Sequence, residues 1–205
     1  MHSISNKNLY ITVSPKTVNL FNAQGDHIGA IECHAHQVVS NAKHVYVAED
    51  SAVQIYSTGG ELLQSFEFDV PLSMCVDDDD RLAVYDWGQR SLTIVGERVI
   101  PMTQTMVDMC YYRGGILFVN SGGVHHLPLP EGEVQTLSRE PSWACAHSYY
   151  ATQAGVKNVE DAEQLIPVRA RRLVYFDATL YLSTTKQMYT YTSDHTLRRL
   201  NFPSL

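Results

Sequence analysis

The sequence predicts an all-β chain assembled from six copies of one four-stranded unit, and three observations carry that expectation. First, a short β-rich run recurs at residues 8–13 (NLYITV), 44–49 (HVYVAE), 81–86 (RLAVYD), 115–120 (GILFVN) and 179–184 (TLYLST). With Tyr10, Tyr46, Ala83, Phe118 and Tyr181 equivalent, the first three steps are 36, 37 and 35 residues, and Tyr150 divides the remaining gap of 63 into 32 and 31. Second, each run is preceded by another apolar segment and most are followed by a further alternating one, so a unit holds four strands. Third, 205 residues divided six ways leave about 34 each, enough for four short strands and their connections. Hydrophobic residues at 44% against 18% charged ones give a chain that can bury more than ordering it costs, which excludes disorder.

The elements follow in order, each a run of β-branched or aromatic residues bounded by turn formers. Unit 1 (residues 1–35) takes 1–5, 8–13, 17–21 (TVNLF) and, after the turn NAQGD, 27–31 (HIGAI). Unit 2 (36–69) takes 37–39 (QVV), 44–49, 52–56 (AVQIY) and, after STGG, 62–66 (LLQSF). Unit 3 (70–103) takes 72–76 (LSMCV), 81–86 and 91–95 (SLTIV); unit 4 (104–140) takes 106–110 (MVDMC), 115–120 and 124–127 (VHHL). Unit 5 (141–169) takes 143–146 (WACA) and 148–152 (SYYAT), and its stretch 157–165 (KNVEDAEQL) has helix-forming composition, giving either a turn of helix or an irregular unit. Unit 6 (170–205) takes 172–175 (RLVY), 179–184, 187–191 (QMYTY) and 196–202.

Six short four-stranded units in an all-β chain are what a β-propeller requires, because each blade buries its faces against its neighbours and ring closure protects the edges. The expected fold is a six-bladed β-propeller, one domain over residues 1–205. Since 1–5 can supply the inner strand of blade 1 and 196–202 the outer strand of blade 6, no closing strand is shared, and the seam between those blades is the expected place of opening. Residues 71–86 (PLSMCVDDDDRLAVYD) and 44–66 (HVYVAEDSAVQIYSTGGELLQSF) resemble NHL-repeat propeller blades and, more distantly, WD-repeat ones. The chain departs from both patterns in its shorter units, in lacking a Gly-His to Trp-Asp spacing, and in keeping the loop acidic residue only as Glu49 and Asp86.

Charge and composition narrow the function. Fifteen Lys and Arg against 22 Asp and Glu, a net −7, argue against a broad basic face for nucleic acid and leave room only for a local RNA-backbone contact, which is not the favoured partner. The first thirty residues hold no basic region followed by an apolar run, and no stretch approaches eighteen consecutive apolar residues, so a cytoplasmic protein without a membrane partner is expected. Cys33, Cys75, Cys110 and Cys145 form no C-x-x-C pair and read as reduced thiols. The last three recur every 35 residues, which places them at one equivalent inner-strand position as small apolar packing residues; the functional alternative is a metal-binding or redox cluster. Residues 77–80 (DDDD) lack ligand alternation and read as an exposed acidic turn. His34 and His36 share a strand face beside Cys33, whereas His125 and His126 point to opposite faces. No phosphate loop, H-E-x-x-H or G-x-S-x-G occurs, and no cofactor is expected.

Without a legible reaction centre, the expected function is a non-catalytic protein-interaction scaffold, a subunit of a larger assembly. Its candidate contacts are the basic cluster Arg169, Arg171 and Arg172 with Arg198 and Arg199, suited to an acidic partner surface, and the aromatic anchors Trp87, Tyr111, Tyr112 and Trp143. The arginines could instead pair with Glu160, Asp161 and Glu163. The competing class is a lactonase-like metal-dependent hydrolase or a small-ligand binder at the channel mouth. In that case Glu49, Asp86 and Asn120, which end successive runs, would hold a divalent metal.

Overall fold

The computed structural model describes residues 2–6, 9–14, 16–22, 26–77, 79–161, 163–176 and 178–200, with backbone alone for 2–14 and 176. Among these residues all helix and strand structure is β, in six four-stranded antiparallel sheets, each built from four consecutive strands. The chain divides into two compact units, Met1–Met106 and Val107–Leu205.

The first unit holds three sheets: β1 (His2–Asn6), β2 (Leu9–Ser14), β3 (Thr17–Asn22) and β4 (His27–Glu32); β5 (Gln37–Ser40), β6 (His44–Ala48), β7 (Ala52–Ser57) and β8 (Leu62–Glu67); β9 (Pro71–Val76), β10 (Leu82–Asp86), β11 (Ser91–Ile94) and β12 (Arg98–Pro101). The second holds β13 (Asp108–Tyr112), β14 (Gly115–Asn120), β15 (Gly123–Pro128) and β16 (Gln135–Ser138); β17 (Ala144–Ala146), β18 (Tyr149–Ala151), β19 (Val156–Asn158) and β20 (Leu165–Ile166); β21 (Arg172–Phe176), β22 (Thr179–Ser183), β23 (Met188–Thr192) and β24 (Leu197–Leu200). Within each unit the first strands lie side by side, β1 by β5 by β9 and β13 by β17 by β21, so the sheets fan out from a shared inner edge.

Burial follows strand position. In the second strands β6, β10 and β14 residues of both pleat faces are buried, so their sequences run mostly apolar rather than alternating. Every residue of β10 and β14 is buried, Phe118 and Ile116 completely. Each such side chain contributes roughly 1.5–3 kcal/mol. The fourth strands face water and carry exposed Leu62, Leu63, Val99 and Leu137.

Among the described residues the stretch 157–165 contains no helix. Lys157 pairs with both Tyr150 and Leu165, so cross-strand pairing overrides local helix propensity. The acidic residues between them form a turn in which Asp161 accepts the Glu163 amide at 3.1 Å. Blade 5 is accordingly the irregular one, with strands of three, three, three and two residues.

An inner strand leaves one backbone edge unpaired, and side chains from the preceding sheet close it. Gln37 accepts the Met74 amide at 2.7 Å, and Asp108 accepts the Cys145 amide at 3.1 Å. The Asp108 carboxyl sits between β13 and β17, where desolvation pushes its pKa up to about 6 despite the Cys145 amide and the nearby Arg172. An acid with a raised folded pKa contributes most stability below its ordinary value of 3.8 and loses it as pH rises toward 6. Asp108→Asn, which removes the ionisable carboxyl but sets an NH2 against one of the two backbone amides, Met109 or Cys145, that its oxygens accept, is expected to flatten the change of melting temperature between pH 4 and 6. Thermal melts across that range check it.

Gly123 opens β15 at φ 133°, and a Cβ there would lie 2.0 Å from the Ser138 carbonyl oxygen. Gly123→Ala is expected to destabilise by about 2 kcal/mol in urea unfolding, because strain and overlap act on rigid backbone.

Candidate functional site

The residues at the ends of the second strands are turn caps. Asp86 accepts the amides of Gly88 at 3.0 Å and Gln89 at 3.3 Å, Asn120 that of Gly122 at 2.7 Å, Thr152 that of Ala154 at 3.3 Å, and Thr184 that of Lys186 at 3.2 Å. Each bonds the backbone two residues ahead, the geometry of Asx and Ser/Thr turns. Asp86 also accepts the amides of Asp69 at 2.8 Å and Val70 at 3.0 Å, and is 2% exposed. These backbone donors hold its carboxyl below the usual aspartate range although burial opposes them. Glu49 uses its backbone amide to bond the Ala52 carbonyl. Glu49 and Asp86 belong to the first unit and Asn120 to the second. Among the described residues no group of three histidine, cysteine or carboxylate side chains has the geometry of a metal site. His34 and His36 are exposed beside buried Cys33, and His36 lies 2.6 Å from Asp50.

The acidic turn 77–80 is more than a solvated loop; Asp78 lies outside the described residues. Asp77 accepts the amides of Asp79 and Arg81 at 3.0 and 2.9 Å and pairs with the Arg81 guanidinium at 2.7 Å. Asp80 turns back onto the preceding sheet and bonds Asn41 at 2.5 Å, Lys43 at 2.6 Å, and His44 and Tyr46 at 3.2 Å. The expectation of an exposed turn is corrected at Asp80. It joins two blades because its left-handed backbone, φ 65°, aims the carboxylate inward.

A different cluster stands at one end of the strands in the second unit, where the β13–β14, β17–β18 and β21–β22 hairpins and the β19–β20 and β23–β24 loops meet. His147 stacks on Tyr175 with ring centroids 4.4 Å apart, Tyr175 faces Tyr149 at 6.3 Å, and Tyr149 meets Tyr191 edge-on at 6.4 Å. Tyr112 touches both His126 and His147 through ring edges and donates its hydroxyl to Glu160 at 2.7 Å. Glu160 also pairs with Arg113 at 3.0 Å, and Arg113 lies over the Tyr112 ring at 5.4 Å. Burial, together with the bond to Glu160, pushes the Tyr112 hydroxyl up to about 12, so it remains a donor across the physiological range. At the far side Gln164 donates to the Tyr191 hydroxyl at 2.8 Å, and His195 Nδ1 is 2.8 Å from that same oxygen. Arg113, His147, Glu160, Tyr175 and His195 present exposed surface over buried Tyr112 and Tyr191.

Few of the expected contact residues gather in one place. Tyr112 is 8% exposed and supports the cluster from beneath; Tyr111 beside it is half-buried. Trp143 packs into the core around β17 and β21 and donates its indole N–H to the Ala170 carbonyl at 2.9 Å. Trp87, 51% exposed, stands on the turn after β10 in the first unit. Arg169 and Arg171 precede the inner strand β21 and Arg172 opens it, whereas Arg198 and Arg199 lie on the outer strand β24, three strands away in the sheet. All five are exposed, and among the described residues Glu160 pairs with Arg113 rather than with any of them. The sequence signal for the cluster was faint: His147 and Arg113 sit at positive φ in two-residue turns, and their aromatic neighbours come from separate sheets.

No protein-family model matches this chain, and no curated protein matches it in sequence. Solved structures do. A streptogramin B lyase aligns with a TM-score of 0.68 and 8% identity over 98% of this chain and 82% of that one. Virginiamycin B lyase from Staphylococcus aureus aligns at 0.66 and 8% identity, over 98% and 83%. The WD40 domain of Neurospora crassa Pan2 aligns at 0.64 and 13% identity, over 95% and 75%. At such identities the likeness shows the fold: the chain is an all-β β-propeller of small, four-stranded antiparallel blades.

Proposed function

We propose that this chain is a non-catalytic, cytoplasmic interaction scaffold and a subunit of a larger assembly. Its six sheets serve as the six blades of one ring that closes without a shared strand, of NHL-like or WD-like repeat ancestry. It docks a protein partner through the aromatic and histidine cluster of the second unit. One observation carries the reading: exposed His147 and Tyr175 are stacked, with buried Tyr112 edge-on against His147 and Tyr149 facing Tyr175, so the contact surface is already ordered before binding. Preorganised aromatic and arginine side chains are what interface hot spots use. The metal-hydrolase alternative loses support because Asp86 and Asn120 spend their oxygens on backbone amides.

The arginines at 169, 171 and 172 offer a second proposed contact, toward an acidic partner surface, at the opposite end of β21 from Tyr175. Affinity capture from host extract with the parent chain, His147→Ala/Tyr175→Ala and Arg171→Glu/Arg172→Glu separates the two. Loss of a captured partner in the aromatic variant, with an unchanged melting temperature, is the expected result. Loss only in the arginine variant moves the docking site to that end, and retention in both removes the proposal. Melting curves with calcium, zinc or chelator are expected to coincide; a shift of several degrees would favour the hydrolase class.

A further inference from the structure

The 35-residue spacing of the cysteines hides a break in register. Cys110 pairs across its hairpin with Leu117, three residues before the turn cap Asn120, whereas Cys145 pairs with Tyr150, two before the turn cap Thr152. A shift of one residue along a strand moves a side chain to the opposite face. The two therefore do not occupy one equivalent position: Cys110 faces the fifth blade, Cys145 faces the fourth, and their sulfurs approach to 3.9 Å. Cys110 is half-buried with its thiol 3.4 Å from the His147 carbonyl oxygen, while Cys145 is 3% exposed. Cys33 and Cys75 are buried elsewhere, in the other unit.

We propose that Cys110 and Cys145 form a reversible disulfide that staples the fourth blade to the fifth, with Cys110 as the attacking and Cys145 as the resolving thiol. The sulfurs must close from 3.9 Å to about 2.05 Å, a movement of under 2 Å. The oxidant is a low-molecular-weight disulfide. The Cys110 thiol gives its proton to solvent and attacks, forming a mixed disulfide and releasing one small thiolate. The Cys145 thiolate, its proton also lost to solvent, then attacks the Cys110 sulfur, forming the protein disulfide and releasing the second thiolate. Two protein thiols lose two electrons, and one small disulfide gains them. The bond crosses between sheets that share no strand pairing, and one of them is the sheet with the shortest strands. Oxidation is therefore expected to raise the melting temperature by roughly 5 °C and to slow amide exchange over residues 144–151.

The test treats the full chain with oxidised glutathione, blocks remaining thiols, and maps peptides by mass spectrometry without reduction. Expected is one linked pair containing residues 110 and 145, lighter by two hydrogen atoms and reversed by dithiothreitol. Cys145→Ser should stop at a mixed disulfide on Cys110, Cys110→Ser should give no bridge, and Cys33→Ser and Cys75→Ser should leave the bridge intact. Should Cys145→Ser fail to fold, the rise in melting temperature decides: present in the parent, absent in half-buried Cys110→Ser. A lasting mixed disulfide on Cys110 in the parent, a bridge to Cys33 or Cys75, or no oxidation product would overturn the proposal.

Discussion

Replacing Asp86 with alanine is expected to cost about 4 kcal/mol, enough to unfold much of the chain at 37 °C. Four backbone amides, those of Asp69, Val70, Gly88 and Gln89, give their hydrogen bonds to this one carboxylate at 2.8 to 3.3 Å, and the residue is 2% exposed. Alanine leaves those donors buried and unsatisfied, and the loss of each exceeds what its bond contributes net. Asparagine is expected to recover little, because its NH2 group faces amide donors where the second carboxylate oxygen stood. Since the folded pKa lies below the ordinary 3.8, the stabilisation is present above pH 4 and fades as pH falls below it. Urea unfolding at pH 7 and pH 3 checks both statements. A loss under 1 kcal/mol at pH 7 would show that the amides find water instead.

Asp80→Ala is expected to cost about 3 kcal/mol. The carboxylate gathers Asn41, Lys43, His44 and Tyr46 from the neighbouring sheet, and Tyr46 is 1% exposed, so its hydroxyl would be left buried. These four partners hold the Asp80 carboxyl well below the aspartate range although burial pushes the other way. Its stabilisation too is complete above about pH 4 and is lost on acidification. Alanine adds the strain of φ 65°, which asparagine tolerates better, so Asp80→Asn should recover part of the loss. Because Lys43 is exposed, Lys43→Ala is expected to cost under 1 kcal/mol, which separates the buried part of the network from its rim.

The architecture was legible because it rests on patterns that repeat. Runs such as GILFVN at 115–120 are apolar from Ile116 to Val119 without alternation, which fits a strand buried on both pleat faces. The polar chemistry was legible only in part, since it depends on where a side chain points after pairing. Glu49, Asp86 and Asn120 share a place in the repeat, but whether their oxygens face a metal or their own turn is decided by backbone two residues onward. The cysteines illustrate the limit sharply: equal spacing in sequence concealed opposite faces in the sheets, because the second-strand run is one residue shorter before the turn in blade 5 than in blade 4. The composition of 157–165 left a turn of helix and an irregular blade as alternatives, and the structure has the second, as pairing of Lys157 with Tyr150 and Leu165 outweighs propensity. The aromatic cluster was hidden because Tyr112, His147, Tyr175 and His195 are far apart in the chain and meet only through hairpin ends.

Amide hydrogen exchange of the chain, alone and bound to a captured partner, tests the scaffold reading most directly. Slowed exchange concentrated at residues 112–116, 146–149 and 193–196 is the expected result. Protection confined to 87–91 or 169–172, or a complex with no protected segment in the second unit, would contradict it.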